Sequence, residues 1–205
     1  MHLVVYTALL VGLFLNQAAG VDAPAATSKN AKALRLNYVA MQTVENHFLP
    51  KNERKSIEEL IRQLDRAKIQ QQPKGLFVTL YKEGKTRACW GSINPEHTDL
   101  VAGTIHTTEN ALTKEYRFPQ VKRGEVSEIK AQVTIINSLQ PINSISELNP
   151  LRHGLMVRQD GRGAVLLPGE ARDAHYMLVQ TKLKAGIPVK SRCQMYRINA
   201  DVIRN

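Results

Sequence analysis

The sequence predicts an α+β fold in which helices flank an antiparallel sheet. Three observations lead there. Two pairs of strand-like runs, Gly75–Leu80 with Thr86–Ile93 and Leu155–Val157 with Ala164–Leu167, are each joined by a short Gly-containing connector, the pattern of a hairpin. A longer run through Ile129, Ala131, Val133, Ile135, Asn137 and Leu139 alternates with polar residues, the period of a half-buried strand. Amphipathic helical stretches fall before, between and among these strands.

In chain order, Leu34, Tyr38, Met41, Val44 and Phe48 recur at helical spacing, with Ser28 or Asn30 as a cap near Ala31 and Pro50 beyond the end. Ser56-Ile-Glu-Glu59 is a capping-box pattern, and Ile57, Leu60, Ile61 and Leu64 form the apolar stripe of a second helix. The first hairpin follows Pro73. Asp99 then caps a helix carrying Leu100, Ile105, Ala111 and Leu112, which Arg117-Phe-Pro119 breaks. The long strand is expected to end before Pro141, and Asp160-Gly161 marks the turn of the second hairpin. Pro168 stops that strand. Ala171–Lys184 reads as a helix with Gly186 and Pro188 just past it, and Cys193–Val202 as a last strand.

At 205 residues, with 43% hydrophobic residues, the chain is long enough to bury a proper core and is not compositionally disordered. Lys and Arg number 28 against 18 Asp and Glu, a formal net charge of +10. That excess suits an anionic ligand or polymer, such as RNA or an envelope polymer, and equally a soluble, self-repelling surface. The basic residues are scattered, with no arginine-rich tract and no aromatic–basic alternation of the kind that stacks bases.

The beginning of the chain is a separate matter. Leu3–Leu15 is apolar and uncharged, too short to span a bilayer comfortably, and is followed by Ala18, Ala19 and Gly20. Residues 1–20 therefore read as a secretory signal peptide, residues 21–30 as a linker and residues 31–205 as the domain. Export to the periplasm or the outside is expected, or membrane anchoring if the segment is retained. No other stretch approaches transmembrane length. In an oxidising compartment Cys89 and Cys193 could pair; buried apolar thiols and a reactive Cys89 are the other readings. No Cys-x-x-Cys or Cys/His spacing suggests zinc, His97, His106 and His175 have no metal-binding spacing, and no cofactor is implied.

The sharpest chemical feature is Thr86–Ile93. If this run is extended, Arg87, Cys89 and Gly91 share one face and Ala88, Trp90 and Ser92 the other. A guanidinium beside a thiol, with a side-chain-free residue next along, would make a small pocket floor.

The order Phe77-Val-Thr-Leu80, Arg87-Ala-Cys89-Trp-Gly91, Arg117-Phe-Pro119, His153-Gly-Leu155, Leu166-Leu-Pro168, Gln180-Thr181 and Lys184-Ala-Gly-Ile-Pro188 resembles the AMMECR domain family, also called AmmeMemoRadiSam system protein A, from about Asn30 onward. The resemblance implies an antiparallel α+β fold with a smaller accompanying lobe, and a cleft near the family motif Leu-Arg-Gly-Cys-Ile-Gly. Arg87, Cys89 and Gly91 keep that motif, while Thr86, Ala88 and Trp90 depart from it; Gly169 and Lys182 depart elsewhere. Genomic company with Memo-like and radical S-adenosylmethionine proteins is what the second name records.

Three functions follow as expectations. In a cysteine-dependent enzyme or carrier, Cys89 is the nucleophile, Arg87 favours its thiolate and His153 is the base, with Gly91, Arg117 and Pro168 lining the pocket. The alternative roles are a structural ion pair for Arg87, with Glu83 or Glu109, and a turn position for His153. The second function is a non-catalytic binding module for an anionic partner. The third is an assembly factor with a partner in the cell envelope.

Overall fold

The computed structural model describes residues 35–64 and 72–204. The expected signal peptide and linker lie outside them. Among the described residues four α-helices and six strands follow one another as α1 (Leu36–His47), α2 (Ile57–Leu64), β1 (Leu76–Lys82), β2 (Lys85–Ser92), α3 (Leu100–Thr113), β3 (Lys130–Ile142), β4 (His153–Gln159), β5 (Arg162–Leu166), α4 (Ala174–Lys184) and β6 (Gln194–Ile203). Every strand pairing is antiparallel, and the order across the sheet is β2-β1-β3-β6-β4-β5.

Alternation along the strands divides the sheet into two faces. Leu76, Val78 and Leu80 of β1 and Ala131, Val133 and Ile135 of β3 join the main core with Val39, Val44, Leu60, Ile105 and Leu112 of the first three helices. Helix α3 lies nearly wholly inside this core, so close to β1 that a Cβ on Gly103 would come within 3.0 Å of Leu76 Cδ2. Its buried Thr104 and Thr108 hydroxyls donate to the carbonyls of Leu100 and Thr104, each at 2.7 Å, so neither is stranded in the core. Asp99 accepts from Ala102 N at 2.8 Å and Ser56 Oγ from Glu59 N at 3.2 Å, the expected caps. A smaller apolar cluster, including Leu155, Val157, Met177 and Ile187, holds α4 against β4.

Two irregularities reset the alternation. In β2 the register shifts opposite Leu80 and Tyr81, leaving Arg87 without a partner residue. In β3 it shifts at Asn137, so Leu139 packs with Ile136 in a third apolar group beside Phe77, Leu167 and Ile198. A regular strand would have put Leu139 with Ile135 instead. β3 also continues through Pro141, which pairs with Tyr196. This corrects the expected stop: β1 pairs no farther than Ile135, so Pro141 lacks an N–H only where the strand has an open edge. At the second hairpin, Asp160 and Gly161 both have positive φ, 49° and 76°, the geometry of a two-residue hairpin turn. Helix α4 begins at Ala174 rather than Ala171, because Asp173 caps it by accepting from Tyr176 N at 2.7 Å. Among the described residues no helix is long and apolar enough to cross a membrane.

Candidate functional site

The face of the sheet turned away from α1–α3 carries a cleft of about 890 Å³. Residues of both outer strands, β2 and β5, line it, as do Phe77 of β1 and Leu139 and Pro141 of β3. The loop after α3 contributes Glu115, Tyr116 and Arg117, and Glu170 and Lys184 complete the polar side.

Cys89 stands on the wall, partly exposed, directly across the ladder from Thr79. The buried Thr79 hydroxyl donates to Cys89 Sγ at 3.3 Å. Burial pushes the thiol above its ordinary value; the Thr79 hydrogen bond opposes this, as do the charges of Lys184 and Arg117, while Glu170 adds to it. The resting group is therefore a neutral thiol at neutral pH. Both cysteines are free.

The main chain of Cys89 is gripped by an acid–base pair. Its N–H donates to Glu115 Oε2 at 3.3 Å, and its carbonyl accepts from Arg117 Nη2 at 2.9 Å. Arg117 also donates to both carboxylate oxygens of Glu115, at 2.9 Å from Nε and 2.5 Å from Nη2. Glu115 is a side chain only 3% exposed. Burial alone would raise its pKa, but the hydrogen bonds from Arg117 and from the Cys89 N–H hold it below the usual carboxylate value. The pair thus does for the outer edge of β2 what a neighbouring strand would do.

Gly91 lines the same cleft opposite Phe77. A Cβ there would stand 2.4 Å from the Leu76 carbonyl oxygen and 2.5 Å from the Phe77 ring, so only glycine fits.

Of the residues singled out in the sequence, Cys89, Gly91 and Arg117 meet at the cleft; Arg87, His153 and Pro168 are not among its lining. The unpaired register at Arg87 breaks the alternation that would have set it beside the thiol. Its Nε and Nη2 donate to Glu125 at 3.0 and 2.9 Å, and its Nη1 to the Pro119 carbonyl at 3.0 Å. It therefore ties β2 to the segment before β3. His153 accepts the Asn149 N–H on Nδ1 at 3.1 Å, and burial with the charges of Arg197 and Arg152 lowers its pKa. That is a turn role. Pro168 is buried, its Cδ 3.3 Å from where a Cβ on Gly154 would stand.

Sequence reasoning missed Thr79, Glu115, Glu170 and Lys184. Thr79 had a signal: it is the lone polar residue in the apolar run 76–80 of β1. Nothing in the local sequence marks Glu115 as buried. Among the described residues no group of three His, Cys, Asp or Glu side chains is placed to hold a metal ion.

An antiparallel six-stranded sheet with helices against one face and a cysteine-walled cleft on the other defines the class as α+β. The chain matches the AMMECR1 family over residues 37–203 and belongs to that family. A Methanothermobacter thermautotrophicus protein is 29% identical over 188 residues, covering 82% of this chain and 97% of its own length. A Thermotoga maritima protein is 38% identical over 117 residues, covering 56% of this chain and 67% of its own length. For a Methanosarcina barkeri relative, 35% identical, the match spans 56% of this chain and 60% of the relative. The crystal structure of an uncharacterised Pyrococcus horikoshii protein shares the fold with a TM-score of 0.68 at 23% identity, covering 82% of this chain and 88% of that one.

Proposed function

We propose that this chain is a cysteine-dependent enzyme or covalent carrier that works at the Cys89 cleft. The observation that carries this reading is the Cys89 thiol on the wall of an 890 Å³ cleft, with its main chain fixed by Glu115 and Arg117. A thiol is a far better nucleophile than a hydroxyl once it is ionised. Thr79, Lys184 and Arg117 all favour the thiolate, and burial opposes it. The sulfur bonds to an electrophilic carbon of the substrate as the leaving group departs, and the thiol proton passes to the leaving group or to water. His153 takes no part.

The reading is tested by expressing wild-type and Cys89→Ser chains in cells, quenching in acid and measuring intact mass. A covalent adduct on the wild type that disappears in Cys89→Ser supports it; identical, unmodified masses count against it.

A second reading, a binding module for an anionic partner, is favoured by the net charge of +10 and by Arg158, Arg162 and Arg192 around a second cavity of about 510 Å³. Binding to a polyanion that weakens steeply with added salt is its signature. Export and an envelope partner belong to the same set of proposals; they rest on the apolar Leu3–Leu15 segment. Joint work with Memo-like and radical S-adenosylmethionine proteins rests on the motif order alone.

A further inference from the structure

The hydrogen bonds at Cys89 reveal which way the outer edge of β2 faces. Cys89 gives its N–H to Glu115 and its carbonyl to Arg117, so both groups point away from β1. In an antiparallel ladder the outward groups recur every second residue. The register is regular from Cys89 to Ser92, so the N–H and carbonyl of Gly91 also point outward. No side chain among the described residues bonds them. Gly91 lines the cleft, and without a side chain it leaves its backbone uncovered there.

The other outer strand is treated differently. Lys184 Nζ donates to the Val165 carbonyl of β5 at 2.9 Å, which closes that edge where it borders the cleft. The position at Gly91 is thus an open strand edge inside a cleft whose neighbouring edge positions are capped. Natural proteins protect such edges unless something pairs with them.

Charge narrows what pairs there. Within the cleft Arg117 is neutralised by Glu115, and Lys184 and Glu170 carry opposite charges. Arg158 remains: it lines the cleft, is exposed, and has no side-chain hydrogen bond or ion pair among the described residues. A guanidinium in that condition suits a carboxylate.

We infer that the cleft takes its ligand as an extended peptide, added as a strand along the β2 edge at Gly91 and carrying an acidic side chain onto Arg158. Main-chain hydrogen bonds supply the affinity of such strand addition, and the side-chain contact supplies its selectivity. The Glu115–Arg117 pair ends the open edge at Cys89, so the peptide terminates beside the thiol. The inference rests on the reading that the cleft is the working site.

The test uses the full chain as Cys89→Ser, which binds without reacting. It is equilibrated with a pool of end-blocked hexapeptides, each holding one Asp, and with a single-stranded RNA oligomer at the same concentration. Retained molecules are read by mass. Acidic peptides are expected to be retained over RNA. N-methylation of a retained peptide weakens binding about tenfold at the one amide that donates to the Gly91 carbonyl and little at the others, since one hydrogen bond is lost there. Arg158→Ala weakens the Asp peptide about tenfold and leaves its Asn counterpart unchanged. Hydrogen exchange at the Gly91 amide slows when peptide is bound. Retention of no peptide, preference for RNA, N-methyl effects spread evenly along the peptide, or unchanged exchange at Gly91 overturns the inference. Alkylation of Cys89 in the wild type separates the two ideas. A reactive Cys89 without peptide binding removes only the peptide, and peptide binding beside an inert Cys89 removes only the chemistry.

Discussion

Arg117 reaches Cys89 through the main chain rather than through the sulfur: its Nη2 stands 2.9 Å from the Cys89 carbonyl oxygen, with the Glu115 carboxylate locked between guanidinium and N–H. A loop residue and a strand residue far apart in sequence are thereby held in one geometry, and the thiol is held with them.

Removing Arg117 leaves the buried Glu115 carboxylate without its counterion. Loss of one partner from a fully buried pair costs roughly 3–5 kcal/mol, and the part-exposed Arg117 lowers the expectation for Arg117→Ala to about 2 kcal/mol. Urea unfolding measures it. Adding Glu115→Gln to Arg117→Ala recovers part of the loss, because no buried charge is then stranded; a double variant no more stable than Arg117→Ala contradicts this account.

The Arg87–Glu125 pair leaves a mark on acid stability. Hydrogen bonds from Arg87, and then from the Lys122 N–H, hold Glu125 at about 2, against an ordinary 4.5. A carboxylate with a depressed folded-state pKa contributes stability that is present above about 4.5 and lost as pH falls toward 2. The pair lies near solvent, so its share is under about 1 kcal/mol. Denaturation midpoints of wild type and Arg87→Gln are expected to differ near neutral pH and to converge in acid.

The hairpins, the caps at Ser56 and Asp99 and the apolar stripes of α2 and α3 were legible in the sequence because each rests on local chemistry. The stripe expected on α1 was misplaced, since Tyr38 is exposed and Leu36, Val39, Ala40 and Val44 face the core. Thr86–Ile93 was rightly picked out as a strand carrying Cys89 and Gly91, but its assumed strict alternation could not anticipate the register shift at Arg87. Pairing Arg87 with Glu125 and Cys89 with Glu115 are tertiary facts, set by how the loop after α3 folds back on β2. Sequence spacing carries no trace of either. Pro141 shows the same limit: whether a proline ends a strand depends on which neighbour is present there, and only the sheet order tells.

Gly91 is expected to tolerate no side chain. Gly91→Ala drives a methyl group into the Leu76 carbonyl and the Phe77 ring, and overpacking of this kind costs about 1–3 kcal/mol. Thermal unfolding checks it, with Gly124→Ala as the control, since a Cβ at Gly124 meets nothing within 4 Å.

Thr79→Val removes the hydroxyl that donates to Cys89 Sγ while keeping the shape of the side chain. The thiol pKa then rises further, and alkylation at about pH 8 slows by roughly two- to tenfold, the worth of one neutral hydrogen bond. An unchanged rate would remove Thr79 from the account.

The most direct measurement is the pH dependence of iodoacetamide alkylation in the native wild-type chain, with the modified residue identified by mass. Because burial raises the Cys89 pKa, its alkylation is expected to proceed in the folded protein and to climb with a midpoint above the ordinary thiol value of 9.0. A Cys89 that stays unmodified at every pH until the chain is unfolded would contradict the claim that its sulfur opens onto the cleft.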